Sequence, residues 1–251
     1  MKRLIYDIPT RLFHWLFAIL FLTSFVIAKV VDDESLLYSY HMISGLIMSF
    51  LIILRIIWGI TGTKHARFTH FALNPKDLFD YLRGIINGSK KKWAGHNPAS
   101  SWAALVMMFL GLSLGFSGYQ MALSPINKEN LEDFHELFAN AFILVVIAHV
   151  AGIILHTMRH KENIGLSMVD GHKEGIESAD SIPKARGAVG FALIAIVFAF
   201  AFFVNKNFNQ STRQLTLFGQ TLTLGENEKS EGQEKESSGQ ESEQNSEQDD
   251  D

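Results

Sequence analysis

Cysteine is absent from the 251 residues. That absence excludes disulfides, thiolate zinc sites, Cys-ligated iron–sulfur clusters and covalent C-x-x-C-H attachment of haem. A metal or haem held by this chain must take its ligands from histidine, methionine or carboxylate. The glycine-rich dinucleotide fingerprint and the P-loop are also missing, and no internal repeat is visible. Charge is missing over long stretches: no Asp, Glu, Lys or Arg occurs in 12–28, 36–54, 99–127, 137–158 or 187–205. A bilayer core needs about 17–25 predominantly apolar residues per helix. The five stretches therefore predict transmembrane helices over about 12–31, 36–60, 101–123, 135–158 and 187–204.

Whole-chain averages hide this division. Mean hydropathy is +0.12 and the formal net charge is −4. Residues 226–251 hold eleven acids and two bases, a net of −9, which leaves +5 on residues 1–225. The expected fold is an all-α integral membrane protein: a bundle over 1–204, a short outer segment over 205–225 whose alternation suggests a hairpin, and a disordered acidic tail over 226–251. Lys2 and Arg3 before an apolar stretch also resemble a signal peptide. The stretch lacks a small-x-small cleavage site and a second span follows within a few residues, so it reads as a span.

Lys and Arg in the loops set the orientation. The bases cluster at the N-terminus (Lys2, Arg3, Arg11), between spans two and three (Lys64, Arg67, Lys76, Arg83, Lys90, Lys91, Lys92) and after span four (Arg159, Lys161, Lys173, Lys184, Arg186). Five spans with a cytoplasmic N-terminus put every basic segment inside and the acidic tail in the periplasm of a bacterial inner membrane. Within the long inner loop, Asn74-Pro75 starts a helix whose Leu78, Phe79, Leu82, Ile85 and Ile86 recur at helical spacing until Gly88. It lies either on the inner leaflet or as a cover on the bundle. Asn97-Pro98 starts the third span in the same way.

Ten histidines are present, and four inside the spans carry the argument: His14 just inside the inner end of span one, His41 near the outer end of span two, His135 at the outer start of span four and His149 deep in its inner half. Ionisable groups inside a membrane are costly unless partnered. His135 and His149 are 14 residues apart, which is ~21 Å along a helix and within ~40° of one face. The four sort by depth into two pairs, His14/His149 and His41/His135. Two imidazole pairs at two depths suit two non-covalent b-type haems held by bis-histidine ligation. Zinc or copper fits less well, because two nitrogens leave the metal under-coordinated. A set of plain interhelical hydrogen bonds is the bland alternative. His156 shares the face of His149, but it lies ~31 Å from His135, the whole core thickness. His156 and His160 are expected at the inner rim, and His65, His70, His96 and His172 in inner loops, either solvated or bound to the surface. Arg55 is placed either to pair with a haem propionate or to snorkel to the headgroups. Gly45, one turn from His41, would let a flat ring approach. Gly111, Gly115 and Gly118 serve that end or plain helix packing.

These residues resemble the bacterial cytochrome b561 family, which includes the b-type cytochrome subunits of nickel–iron hydrogenases. The resemblance lies in Tyr6-Asp7, Pro9-Thr10-Arg11-Leu12-Phe13-His14-Trp15, His41 and Gly45, Arg55, Trp58-Gly59 through Gly62, and Gly95-His96-Asn97-Pro98. It continues through His135-Glu136, His149-Val150, Gly152, Lys161-Glu162-Asn163 and Ser167-Met168-Val169 to Gly171. It implies a membrane di-haem cytochrome that passes electrons between the quinone pool and a redox partner, with His14, His41, His135 and His149 as axial ligands. It makes the chain an electron-transfer component of a quinone-linked oxidoreductase with no catalytic residue of its own. The expected partners are quinone, lipid and a periplasmic c-type cytochrome, hydrogenase or dehydrogenase subunit, with no nucleic acid. The acidic tail either solubilises or steers a basic partner. The competing readings are a stand-alone quinone oxidoreductase acting on a small molecule such as superoxide, a histidine-lined metal transporter, and a structural anchor.

Overall fold

The computed structural model describes residues 1–87, 93–124, 128–160 and 163–225. The expected helix stop at Gly88, the Lys90–Lys92 cluster, Lys161-Glu162 and the acidic tail lie outside the described residues, as do the side chains of Ile86 and His160. In chain order the elements are β1 (Lys2–Leu4), α1 (Ile8–Val30), α2 (Ser39–Thr61), α3 (Pro75–Asn87), α4 (Pro98–Leu123), α5 (Lys128–His160), α6 (Ser167–Asp170), β2 (His172–Glu174), α7 (Gly187–Lys206), β3 (Phe208–Asn209), β4 (Gln214–Leu217) and β5 (Gln220–Thr223). Five of the helices, α1, α2, α4, α5 and α7, are long and apolar enough to cross a membrane.

Local chemistry starts these helices where they start. The Asp7 carboxylate accepts the Thr10 amide at 2.8 Å, and Pro9 sits in the first turn of α1. Asn97 accepts the Ser100 amide at 2.8 Å and Pro98 opens α4. Both satisfy first-turn amides that have no partner within the helix. The 33-residue α5 runs to about 50 Å, longer than a hydrocarbon core of about 30 Å. It begins at Lys128 and carries Glu129, Glu132 and Asp133 before His135, so its first two turns are polar and stand clear of the apolar layer.

The spans pack in sequence: α1 on α2, α2 on α4, α4 on α5, with α7 against α1 and α2. Two glycines bring α2 and α4 close. A methyl group at Gly111 would come within 2.7 Å of Ile52 Cδ1, and one at Gly115 within 1.9 Å of Ser49 Oγ. These two glycines serve helix packing. Gly190 does the same for α7, since a methyl there would lie 2.4 Å from Ile8 Cγ2. Outward-facing Ile19, Leu22, Phe109, Phe116, Leu144 and Phe198 remain exposed, each at 56% or more. A surface of that kind is matched by lipid tails. Helix α3 packs on α4, as a cover on the bundle does, and leaves Phe79 and Leu82 exposed.

The two ends of the bundle are closed by two small sheets. At the N-terminal end β1 pairs antiparallel with β2, Arg3 opposite Lys173. At the other end β3, β4 and β5 form an antiparallel sheet, so the segment after α7 is three-stranded. Leu215, Leu217, Leu222 and Leu224 alternate onto one face and are buried with Ile43, Val204 and Phe208. The turn between β4 and β5 is Phe218-Gly219, both at positive φ (49° and 82°), the geometry of a two-residue hairpin loop. The Ser39 hydroxyl donates to the Leu224 carbonyl and ties this sheet to the start of α2.

The N-terminal closure turns on Gly171. Its carbonyl accepts the amides of Ile5 (2.8 Å) and Tyr6 (3.1 Å), and its φ is 82°. A methyl group there would lie 2.7 Å from the Tyr6 carbonyl oxygen. Gly171→Ala is therefore expected to cost roughly 1–3 kcal/mol through left-handed strain and that contact. A thermal melt of the purified variant, with trypsin cleavage after Arg3 as a local readout, measures it.

Candidate functional site

The histidines of the far end come together directly. His41 enters from the first turn of α2 and His135 from the third turn of α5, with ring centroids 6.2 Å apart and planes at 72°. His41 Nδ1 lies 2.9 Å from the Ser24 carbonyl oxygen and 2.9 Å from Ser24 Oγ. A carbonyl only accepts, so Nδ1 carries the proton and Nε2 keeps its lone pair. His135 Nδ1 lies 2.8 Å from Ser117 Oγ, and that hydroxyl donates to the Leu114 carbonyl at 3.2 Å. The Ser117 proton is thereby committed to Leu114, and His135 Nδ1–H donates to Ser117. Each imidazole is anchored through Nδ1 and offers Nε2 as a ligand. This second-layer hydrogen bonding fixes both tautomer and ring orientation.

Ser24 and Ser117 were not singled out by the sequence pattern. Both are buried, at 8% and 3% exposure, in otherwise apolar helices. Gly118 brings the α4 backbone against the same site, since a methyl there would sit 3.6 Å from His135 Cε1. A methyl at Gly45 would meet no atom within 4 Å, so the face of α2 one turn from His41 has room beside it.

At the basic end, His14 of α1 and His149 of α5 lie within electrostatic reach of each other. His14 Nδ1 is buried and has no hydrogen-bond partner among the described residues. A methyl at Gly152, one turn beyond His149, would meet nothing within 4 Å. Between the two levels stands Phe142, seven residues from each α5 histidine and fully buried. Its ring lies 4.9 Å from Phe21 and 5.9 Å from Phe17. These rings close the bundle at mid-height and separate the histidines of one end from those of the other.

Arg55 does not snorkel. Its side chain is 5% exposed, with the guanidinium over the rings of Phe68 (5.2 Å) and Phe13 (5.7 Å). Nη2 donates to the Ala66 carbonyl at 3.0 Å, and Nη1 is buried without a partner. Phe68 is held there because Gly59 leaves space for it, a methyl at Gly59 falling 2.3 Å from its ring. Below this stack Asp7 is fully buried and accepts from Trp58 Nε1 at 3.2 Å and from the Thr63 hydroxyl. One carboxylate thus caps α1 and pins it to the end of α2.

Two of the four loop histidines are neither solvated nor left on the surface. His65 is 6% exposed, with Nε2 2.6 Å from the Asp180 carbonyl oxygen. The His96 ring lies between Phe71 (4.7 Å) and Tyr6 (5.2 Å, edge-on). Both are drawn in because the loops fold back over the helix ends. His70 and His172 are exposed as expected. His156 lies beside Tyr81 of α3, its Nδ1 3.4 Å from the phenol oxygen.

The chain matches the family model described as prokaryotic cytochrome b561 over residues 5–171. Three curated relatives are each called "Probable Ni/Fe-hydrogenase B-type cytochrome subunit". The protein from Bradyrhizobium diazoefficiens is 21% identical over 215 residues, covering 68% of this chain and 85% of the relative. That from Rhizobium leguminosarum bv. viciae is 22% identical over 67% of this chain and 87% of the relative. That from Rhodobacter capsulatus is 21% identical over 67% and 80%. No solved structure matches.

The matched residues include His96, which makes the basic end sensitive to pH. Burial pushes its imidazole down to about 3 from an ordinary 6.5, and the charges of Arg55, Lys173, His65 and His149 push the same way. The folded chain keeps His96 neutral while the unfolded chain takes up a proton below 6.5. The contribution to stability is complete above that value and is lost as pH falls from 6.5 towards 3. Between pH 6.5 and 5 the wild type is expected to lose roughly 1–2 kcal/mol more than His96→Gln, read as the difference between their melting curves.

Proposed function

As the chain belongs to the prokaryotic cytochrome b561 family of membrane b-type cytochromes, we propose that it holds two haem b groups and carries electrons between the quinone pool and a redox partner protein. The observation that carries this reading is the His41–His135 pair. The two ring centres stand 6.2 Å apart, and these two residues would hold an iron as its histidine ligands. Both rings are anchored through Nδ1, which leaves Nε2 for the metal. The residues present fit a bis-histidine haem.

His14 and His149 are assigned the second haem, at the basic end. The unpartnered His14 Nδ1 and the open face at Gly152 support that assignment. Haem b, when bound, supplies a one-electron iron couple in the apolar interior. The chain does the rest. His41 and His135 hold one group, His14 and His149 the other, while Ser24 and Ser117 orient the far pair. Gly45 leaves room for a flat ring beside His41. Arg55 offers its free Nη1 to a propionate at the basic end, where a charge-assisted bond would satisfy it. Phe17, Phe21 and Phe142 keep water out of the layer between the pairs.

Orientation follows from charge: Lys64, Arg67, Lys184 and Arg186 stand at the end that carries the N-terminus, and the positive-inside rule makes it cytoplasmic in a bacterial inner membrane. The far end and the acidic tail then face the periplasm. Quinone, being lipid-soluble, reaches the bundle from the bilayer. The names of the relatives favour a hydrogenase as the protein partner.

Pyridine haemochrome quantitation on the purified wild type is expected to give two haem b per chain. His41→Ala and His135→Ala each leave one, and His14→Ala and His149→Ala each leave the other, as told by reduced-minus-oxidised spectra. In proteoliposomes, quinol is expected to reduce an impermeant external acceptor with the wild type and with none of the four variants. A variant that retains both haems refutes its assigned ligand. Ser117→Ala keeps both haems and raises the potential of one, because the His135 imidazole donates less charge once its Nδ1–H bond is weakened.

A further inference from the structure

At the basic end a cavity of about 320 Å³ lies where α2 stops and α7 starts. One wall is Gly62, Thr63, Lys64 and Arg67; the other is the strap 181–186. Four of the lining side chains are cationic and none is acidic. Lys64 is already committed, donating to Asp180 at 2.8 Å and to the Ala179 carbonyl at 3.1 Å. That bond holds the Asp180 carboxyl below the usual carboxylate range. Arg67, Lys184 and Arg186 make no ion pair among the described residues, and Arg67 Nε is buried without a partner.

The cavity is held in shape from behind. The Ile182 amide donates to the Leu4 carbonyl at 2.9 Å, and the Ile8 amide to the Ala185 carbonyl at 2.8 Å. His65 meets the Asp180 carbonyl at 2.6 Å. Arg186 has φ 58°, the left-handed region, where a residue with a Cβ persists only when its surroundings fix it. It is also the N-cap of the 20-residue α7 and gives it no side-chain cap, so the positive end of that helix adds to the three cations.

We propose that this cavity binds the phosphate of an anionic phospholipid headgroup. Three unpaired cations and an uncapped helix start call for a compact anion with several acceptor oxygens, which is the chemistry of a phosphate. Depth selects its source. Gly62 follows the last residue of one span and Arg186 precedes the first residue of another, so the cavity sits at the level of the membrane–water boundary. Basic pockets between spans on that side are suited to lipid phosphates.

The test uses the full-length protein purified in detergent, with melting temperature and native mass spectrometry as readouts. Phosphatidylglycerol is expected to raise the melting temperature and to remain bound in the mass spectrum. Phosphatidylcholine and inorganic phosphate at the same concentration are expected to do neither. Each cation removed in Arg67→Gln, Lys184→Gln or Arg186→Gly weakens phosphatidylglycerol binding by roughly tenfold. Arg186→Gly is the decisive variant, because glycine accepts φ 58° and so removes the cationic side chain without disturbing the backbone. Lys206→Gln, at the opposite end of α7, is expected to bind like the wild type. Equal binding by Arg186→Gly and wild type overturns the site. Stabilisation by inorganic phosphate equal to that by phosphatidylglycerol overturns the lipid as its source.

Discussion

An imidazole nitrogen inside an apolar bundle must be partnered, and the rest of this structure is arranged around that requirement. Helix α5 carries two such rings, 14 residues apart on one face, with no water in the bilayer core to satisfy them. At the far end the requirement is met twice over. Nδ1 of His41 bonds to the Ser24 carbonyl on α1, and Nδ1 of His135 to the Ser117 hydroxyl on α4. Four helices are thus tied to one point by four residues. Ser117→Ala strips the His135 Nδ1–H of its acceptor, and a buried polar group left unpaired costs about 1–3 kcal/mol.

The same accounting explains why the ends of the bundle are so heavily built. Buried polar groups near each surface keep their protein partners only if water stays out, and short loops alone would admit it. The far end is sealed by the leucine face of a three-stranded sheet. The basic end is sealed by polar groups that satisfy one another. Asp7 ties α1 to Trp58 and Thr63, Arg55 lies between Phe13 and Phe68, and His65 bonds to the Asp180 carbonyl. Burying Arg55 and Asp7 near each other costs hydration, which their hydrogen bonds and mutual attraction offset.

How much of this was legible before the structure depends on the kind of signal. Helical periodicity and freedom from charge are local properties, so the five spans and the depth of His14, His41, His135 and His149 could be read along the chain. Ser24 and Ser117 could not, because their role depends on which helix faces which, a property of packing. The enclosure of His65 and His96 is hidden for the same reason: each sits in a loop by sequence, and only the folded chain sets His65 against Asp180 and His96 between Tyr6 and Phe71. The three-stranded sheet was half visible. Alternation marks β4 and β5, but β3 is two residues long and has no pattern to show.

Helix α7 lies beyond the residues that match the family model, yet it is not an appendage. Gly190 lets it close onto Ile8 at the start of α1, and Phe200 stacks on Phe50 of α2 at 4.1 Å. Its C-terminus feeds straight into the sheet that seals the far end, and its N-terminus supplies one wall of the cationic cavity at the other. A helix that braces α1 and α2 restrains the helices that present His14 and His41 without offering a ligand itself. Its all-round apolar composition is what a peripheral brace in lipid requires, since its outer face meets acyl chains and its inner face meets α1 and α2. Specificity in such a helix lies in shape, in one glycine and one aromatic stack, which is why composition identifies it as a span but does not reveal its neighbours.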